Sequence, residues 1–266
     1  MIYLGCFGEP LLNPRIIDMI HILKASKACR ELRILTNGYL LSQDLNEKIV
    51  GAGADLVRVS IEGLSADDYW KFCKVKLDYD KFISNLNDLF MRSRGTATKV
   101  SAKIIAAGLE SNEDLQLFQK MFSSITDTCF CENISSGWPF FESGLKKIVG
   151  AGQLTYETAD EAAKHVCSYP LTHLVVFANG SVGVCCSDWR MDTVVGDLGS
   201  QSIYDIWNGE ALHAFRRKHL LRQKAEASPS CGVCSMYPPD NIDNDAEKIL
   251  RRLESLENYS SKVAKE

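Results

Sequence analysis

No apolar run in the 266-residue sequence approaches the roughly 20 residues that a membrane-spanning helix needs, so no membrane segment is expected. No basic stretch followed by an apolar one opens the chain, so no secretory leader is expected either. An excess of one charge is also missing. The 30 Lys and Arg residues face 34 Asp and Glu residues, a net charge of −4, which leaves no electrostatic footprint for a nucleic-acid partner. The five histidines show no ligand spacing and read as surface or core residues. Cysteine, by contrast, is plentiful at ten residues. Without a secretion signal, that number argues against a disulfide framework and for metal-binding thiols in a reducing cytoplasm. The length allows one large or two small domains with an ample core.

Four of the cysteines form a pattern. Cys167 is followed after twelve intervening residues by Gly180, and after four more intervening residues by Cys185; Cys231 and Cys234 follow in the sequence Cys-Gly-Val-Cys. Two cysteines spaced Cys-x-x-Cys can bind one metal centre from a single tight turn, and Cys167 with Cys185 would complete a four-thiolate shell. Such a shell suits zinc or an iron–sulfur cluster, and spacing alone does not separate them. Between Cys167 and Cys185, two apolar runs flank Asn179-Gly180, a strong hairpin signal. A two-residue turn there pairs residue i with 359 − i. It puts Cys186 among the bulky apolar residues and Cys185 beside Ser181 and Gly183, where a cofactor has room.

Before this region, strand and helix patterns alternate. Strands are predicted over 2–4, 32–35, 55–61, 99–106 and 125–130. Helices are predicted after Asn13-Pro14, Ser42, Ser65, Asp80 and Ser111. Such alternation implies a parallel sheet with helices outside, barrel-like or open, whose site lies at the C-terminal strand ends. The residues there are Gly8-Glu9-Pro10, Thr36-Asn37-Gly38, Ser60 and Glu62, with Lys103 as a strand residue or carboxylate partner. Cys6, Cys29, Cys73, Cys129 and Cys131 read as structural. Beyond Cys186, 195–199 reads as a turn, Ser202 and Glu210 open helices, and Arg216-Arg217-Lys218 reads as a solvated helix face. Pro238-Pro239 ends the cysteine region, and a final helix follows Asn244.

These residues resemble a family. Phe7-Gly8-Glu9-Pro10-Leu11-Leu12-Asn13-Pro14 resembles the Gly-Glu-Pro loop of radical S-adenosylmethionine enzymes, which binds the methionine amino group after the second strand of a partial (β/α)6 barrel. Leu35-Thr36-Asn37-Gly38 and Val59-Ser60-Ile61-Glu62-Gly63 resemble that barrel's third and fourth strand ends. By this resemblance Gly8, Glu9, Pro10 and Asn37 bind the cofactor, and Ser60 and Glu62 approach its ribose. The stretch Cys167…Gly180-x4-Cys185-Cys186-x-Asp188, Gly196-Asp197-Leu198, Ile206-Trp207 and Cys231-x-x-Cys234 resembles the SPASM/twitch extension. That resemblance implies one auxiliary [4Fe–4S] cluster on Cys167, Cys185, Cys231 and Cys234.

The implied fold is α/β, a partial (β/α)6 TIM-like barrel lacking its first strand, followed by a small α+β iron–sulfur domain. The implied boundaries are 1–136 for the barrel, 137–166 for a linker, 167–240 for the SPASM/twitch domain and 241–266 for a terminal helix and tail. The Cys-x3-Cys-x2-Cys that defines the radical family is absent. The chain is therefore expected to be N-terminally truncated and unable to generate a radical alone, with Ile2-Tyr3-Leu4 an unprotected edge that limits solubility. In the full-length parent, a second [4Fe–4S] cluster would cleave S-adenosylmethionine, fed by an electron donor such as a flavodoxin or ferredoxin. The 5′-deoxyadenosyl radical would then oxidise a small-molecule or peptide substrate. The alternative is a non-enzymatic module that binds an iron–sulfur cluster or zinc and serves in interaction or electron transfer.

Overall fold

Strand and helix alternate through the first half of the chain, as the sequence predicts. In order come β1 (Ile2–Leu4), α1 (Ile16–Ala25), β2 (Leu32–Thr36), α2 (Gln43–Ala52), β3 (Leu56–Ile61), α3 (Ala66–Cys73), α4 (Tyr79–Ser93), β4 (Lys99–Ile105), α5 (Asn112–Phe122) and β5 (Thr128–Glu132). The computed structural model describes residues 1–132, 165–234 and 240–263. They divide into two compact units, one built from residues before 133 and one from residues after 164. The linker expected over 137–166 lies outside the described residues apart from His165 and Val166, and so does Pro238-Pro239.

In the first unit all five strands pair in parallel, in the order β1-β2-β3-β4-β5. Alternation along each strand decides the two faces. Ile34, Val57, Val59, Ile61, Val100 and Ile104 are fully buried and share one core with Ile20, Ile49, Leu86, Leu89, Phe118 and Phe122 of the helices. Each such side chain contributes about 1.5–3 kcal/mol on leaving water. Cys131 is buried in this core and Cys129 packs against it, in line with a structural role for both. The other face carries Arg58, Ser60, Lys103 and Phe130, and is polar.

Local chemistry sets the helix starts. The hydroxyls of Ser42, Ser65 and Ser111 accept hydrogen bonds from the amides of Leu45, Asp68 and Asp114, satisfying amides that a helix start leaves unpaired. Asn13 differs from expectation: its side chain accepts from the Arg15 amide, and α1 begins only at Ile16. Strand β5 also begins three residues later than predicted, because Asp127 stops the incoming turn by accepting from the Val100 amide at 2.8 Å.

Asp55 acts similarly between β2 and β3. Its carboxylate accepts from the Leu32 amide at 2.7 Å and from Lys24 Nζ at 2.8 and 2.9 Å. Burial works against the charged form, but these hydrogen bonds outweigh it and hold the Asp55 pKa below its ordinary value. A depressed folded-state pKa means stability that is complete above the unfolded value of about 3.9 and lost as pH falls through the folded value. The gap in denaturation midpoint between the native protein and Asp55→Asn is thus expected to be widest above about pH 4 and to close in acid. A gap that stays constant with pH would reject this role.

The second unit opens with α6 (Tyr169–Thr172), then β6 (Val175–Val176), β7 (Ser181–Gly183), β8 (Val194–Asp197), α7 (Ile203–Trp207), α8 (Glu210–Leu220), α9 (Lys224–Ala227), α10 (Pro229–Val233) and α11 (Ala246–Val263). Strands β6, β7 and β8 form an antiparallel sheet. Two expectations are corrected here. The hairpin pairs Val175 with Gly183 and Val176 with Val182, one residue off the predicted register. Gly180 adopts a left-handed φ of 91°, and Phe177 pairs with Ser181 across a three-residue loop, a hairpin that needs one more residue than the I′ turn. The predicted turn at 195–199 is instead mostly strand β8, with the turn at its end. Gly196 is there for packing: a Cβ would lie 2.6 Å from Ile206 Cγ1, and Ile206 is the buried anchor of α7.

Candidate functional site

At the C-terminal strand ends of the first unit, Glu9 is the hub. One carboxylate oxygen accepts from the Leu11 amide at 2.9 Å and from Thr36 Oγ1 at 2.7 Å; the other accepts from the Asn37 amide at 2.7 Å. Glu9 thereby caps the 3-10 turn begun by Pro10 and ties the loop after β1 to the loop after β2. Asn37 turns its side chain back onto the Tyr39 amide at 2.9 Å, a local turn contact. Gly38 follows with φ 72°, and a Cβ there would lie 2.7 Å from Val59. Gly8 is exposed, with open space around it.

Ser60 and Glu62 lie further along the sheet. Ser60 sits beside Lys103 in the β3–β4 register. Burial raises the Glu62 pKa above its ordinary value, with the Lys103 cation opposing. Lys103 Nζ lies 2.7 Å from Glu132 Oε2, so Lys103 is a carboxylate partner. Arg58 stacks over Phe130 at 5.1 Å, and its buried Nε has no partner among the described residues. Among those residues, no hydrogen bond or ion pair joins the Glu9–Asn37 group to the Ser60–Glu62 group. Arg58 and Glu132 escaped sequence reasoning. The signal was present as charged residues alternating with apolar ones along predicted strands.

In the second unit, Cys167, Cys185, Cys231 and Cys234 all line one cavity. Its volume of about 40 Å3 exceeds the ~10–15 Å3 that one water requires. Pro170, Val184 and Phe215 supply an apolar wall, and Tyr169, His165, His219 and Lys224 complete it. Burial pushes the thiols up, Cys167 to about 11 and Cys231 to about 12, and raises Cys185 as well. Cys186 is exposed and lies outside the cavity wall, not in the core as its predicted register had it. Among the described residues, which include all ten cysteines, no disulfide forms.

The loops that present these thiols are braced. The Ser187 amide donates to Cys185 Sγ at 3.3 Å. Buried Asp188 accepts from the Thr193 amide at 2.6 Å, and Asp192 accepts from Ser230 Oγ at 2.7 Å, joining this loop to α10. Cys231 sits in the last turn of α10 and Cys234 just past it, so a helix end rather than a free turn spaces the pair. Lys224 Nζ donates to the Cys234 carbonyl at 2.9 Å.

Helix α8 departs from its reading as a solvated face. Arg216 is 5% exposed; it donates to the carbonyls of Pro170 and Trp207, each at 3.0 Å, and lies 4.2 Å from the Trp207 ring centroid. Arg217 pairs with Glu210 and Lys218 with the Glu226 carbonyl. Leu212, Phe215 and His219 form the buried stripe. His219, read as surface or core, is in the cavity wall. Burial, aided by the Lys224 cation, pushes its pKa down to about 4, so the ring is neutral at physiological pH.

Comparisons with known proteins divide at the same place. Residues 3–116 match a family model described as the radical SAM superfamily, and residues 167–235 match one described as an iron–sulfur cluster-binding domain, SPASM. A GTP 3',8-cyclase of Microcystis aeruginosa is 31% identical over 110 residues, 41% of this chain and 28% of the relative. The S-adenosyl-L-methionine-dependent 2-deoxy-scyllo-inosamine dehydrogenase of Niallia circulans is 30% identical over 79 residues, 29% of this chain and 32% of the relative. This chain therefore spans less than a third of either relative's length. The crystal structure of BtrN in complex with AdoMet and 2-DOIA superposes with a TM-score of 0.52 at 17% identity, covering 91% of this chain and 76% of that one. That likeness is one of fold. Among the described residues, no helix is long and apolar enough to cross a membrane.

Proposed function

The chain belongs to the radical SAM superfamily, a family of enzymes, and carries a SPASM iron–sulfur domain, and we propose that it is the cluster-bearing portion of an oxidoreductase whose thiols Cys167, Cys185, Cys231 and Cys234 hold an auxiliary [4Fe–4S] cluster. The observation that carries this reading is the gathering of all four thiols on one largely apolar cavity. Four thiols at this spacing suit either zinc or a cluster, and the match of residues 167–235 to the iron–sulfur cluster-binding model supports the cluster.

When bound, the cluster supplies a one-electron acceptor for a substrate that has lost a hydrogen atom. The protein residues do the rest. Cys167, Cys185, Cys231 and Cys234 would supply one thiolate for each iron, and the apolar wall and the Ser187 N–H bond to Cys185 would be the means of tuning the cluster. In the first unit, Gly8, Glu9, Pro10 and Asn37 take the methionine end of S-adenosylmethionine, with Glu9 acting chiefly by holding the two loops in place. The Ser60 hydroxyl and the Glu62 carboxylate offer acceptors for the ribose. The 266 residues contain no Cys-x3-Cys-x2-Cys, so the thiolates of a radical-generating cluster and its flavodoxin or ferredoxin donor are not supplied by them. Oxidation of a small-molecule or peptide substrate in a reducing cytoplasm is the reaction favoured, supported by the dehydrogenase among the relatives.

The chain purified without oxygen and reconstituted with iron and sulfide is expected to bind about four irons and four sulfides and to absorb near 400 nm. Stoichiometric zinc and a colourless protein under the same conditions would reject the cluster.

A further inference from the structure

Among the described residues of the second unit, the imidazole of His219 has both ring nitrogens buried without a partner. The side chain is 3% exposed. Its ring stacks on Phe215 at 5.0 Å and 22°, which fixes its plane. Neither Nδ1 nor Nε2 has a hydrogen-bond partner among the described residues. A neutral imidazole carries one N–H donor and one lone pair, and leaving a buried donor unmet costs its full desolvation. Native proteins leave few such groups unexplained. The ring lines the cavity that the four thiols surround, so its missing partner is one that this cavity contains when filled. The neighbouring cation does not serve: Lys224 Nζ is a donor itself and is directed at the Cys234 carbonyl.

We propose that His219 donates its N–H to a sulfur of the cluster held by Cys167, Cys185, Cys231 and Cys234, and that this bond sets the cluster's reduction potential. The inference rests on the cluster assignment above. A dipole whose positive end faces the cluster favours the more negative, reduced state, and hydrogen bonds to sulfur are one of the protein's levers on such potentials. His219 acts through the cluster, so it is a positioning residue and not a catalytic one. Its place on α8 couples that role to packing, since Phe215 both holds the ring and contributes to the apolar wall.

The test is a potentiometric titration of the reconstituted full chain, followed by visible bleaching and electron paramagnetic resonance. His219→Phe keeps the ring stack without the N–H. It is expected to retain iron and absorbance while the midpoint falls by about a tenfold change in equilibrium constant, ~59 mV for one electron. His219→Gln, which restores a donor, is expected to lie closer to the native value. A His219→Phe protein with full iron content and an unchanged midpoint overturns the proposal.

A second measurement covers the case in which His219→Phe fails to fold or to hold iron. In the His165→Ala variant, with histidine labelled by nitrogen-15, pulsed resonance of the reduced cluster is expected to show a coupled histidine nitrogen. Absence of that coupling overturns the proposal without a change at His219. Failure of the native chain to take up iron is a separate result, visible before any titration, and removes the cluster assignment itself.

Discussion

Replacing Cys234 with alanine is expected to abolish cluster binding: iron content falls from about four per chain toward zero, and the band near 400 nm disappears. The cavity draws its thiols from three separated places, the approach to α6, the end of the β6–β7 hairpin, and the end of α10. A cluster that binds the folded form alone stabilises it by mass action. Structural zinc sites, a fair comparison of scale, contribute about 10–16 kcal/mol of apparent binding energy. Losing the fourth ligand removes most of that linkage, so the second unit of Cys234→Ala is expected to unfold at markedly lower denaturant than the reconstituted native protein. Cys186→Ala is the control. Cys186 adjoins a ligand in sequence but lies outside the cavity wall, and its removal is expected to leave iron content unchanged. Retained iron in Cys234→Ala, or lost iron in Cys186→Ala, would reject the ligand assignment.

Arg216→Ala is expected to destabilise the second unit by about 3 kcal/mol. Two hydrogen bonds from a cation to buried carbonyls are each worth about 1.5–3 kcal/mol, and the contact with Trp207 adds up to about 2 kcal/mol when desolvated. Against this stands the cost of burying the guanidinium, felt in the lowered Arg216 pKa, which cancels much of the gain. Arg216→Lys is expected to rescue little, because an ammonium cannot both stack flat on the indole and bridge two carbonyls. Denaturant titration with hydrogen exchange at α8 amides measures both variants. Arg216→Ala at native stability would show that desolvation offsets the contacts entirely. Because α8 also carries Phe215 and His219, weaker cluster retention should accompany the loss.

What can be read from the sequence follows the range of the forces involved. Helix starts at Ser42, Ser65, Ser111 and Ser202 are legible because a cap acts within three residues. The parallel sheet is legible because helix and strand periods alternate cleanly up to Phe130. The meeting of Cys167, Cys185, Cys231 and Cys234 on one cavity is legible in their spacing. The hairpin register is not, since it depends on whether Gly180 closes a two-residue or a three-residue loop, and both carry Asn-Gly. Strand β8 reads as a turn because Gly196 resembles a breaker; its reason for being glycine is Ile206, which arrives from a later helix. Arg216 and His219 lie on a basic stretch whose burial depends on the carbonyls of Pro170 and Trp207 and on the cavity beneath. The stripe Leu212, Phe215, His219 at helical spacing is the available sign that this face turns inward.

The strand order β1-β2-β3-β4-β5 repeats the order of the chain, and this bears on how the protein is made. During synthesis, each emerging strand finds its neighbour already in place, and no later strand needs to be threaded between earlier ones. The first unit can therefore grow at one open edge while the ribosome is still at work, as domains nearer the N-terminus generally do. The cysteine cavity obeys the opposite rule. Its wall takes residues from both ends of the segment between His165 and Cys234, so it does not exist until the last of them has been made. On the proposed cluster assignment, iron can enter only once Cys234 has been made, which leaves a window in which the bare thiols are open to oxidation. Anaerobic expression with ample iron should shorten that window and raise the yield of intact protein.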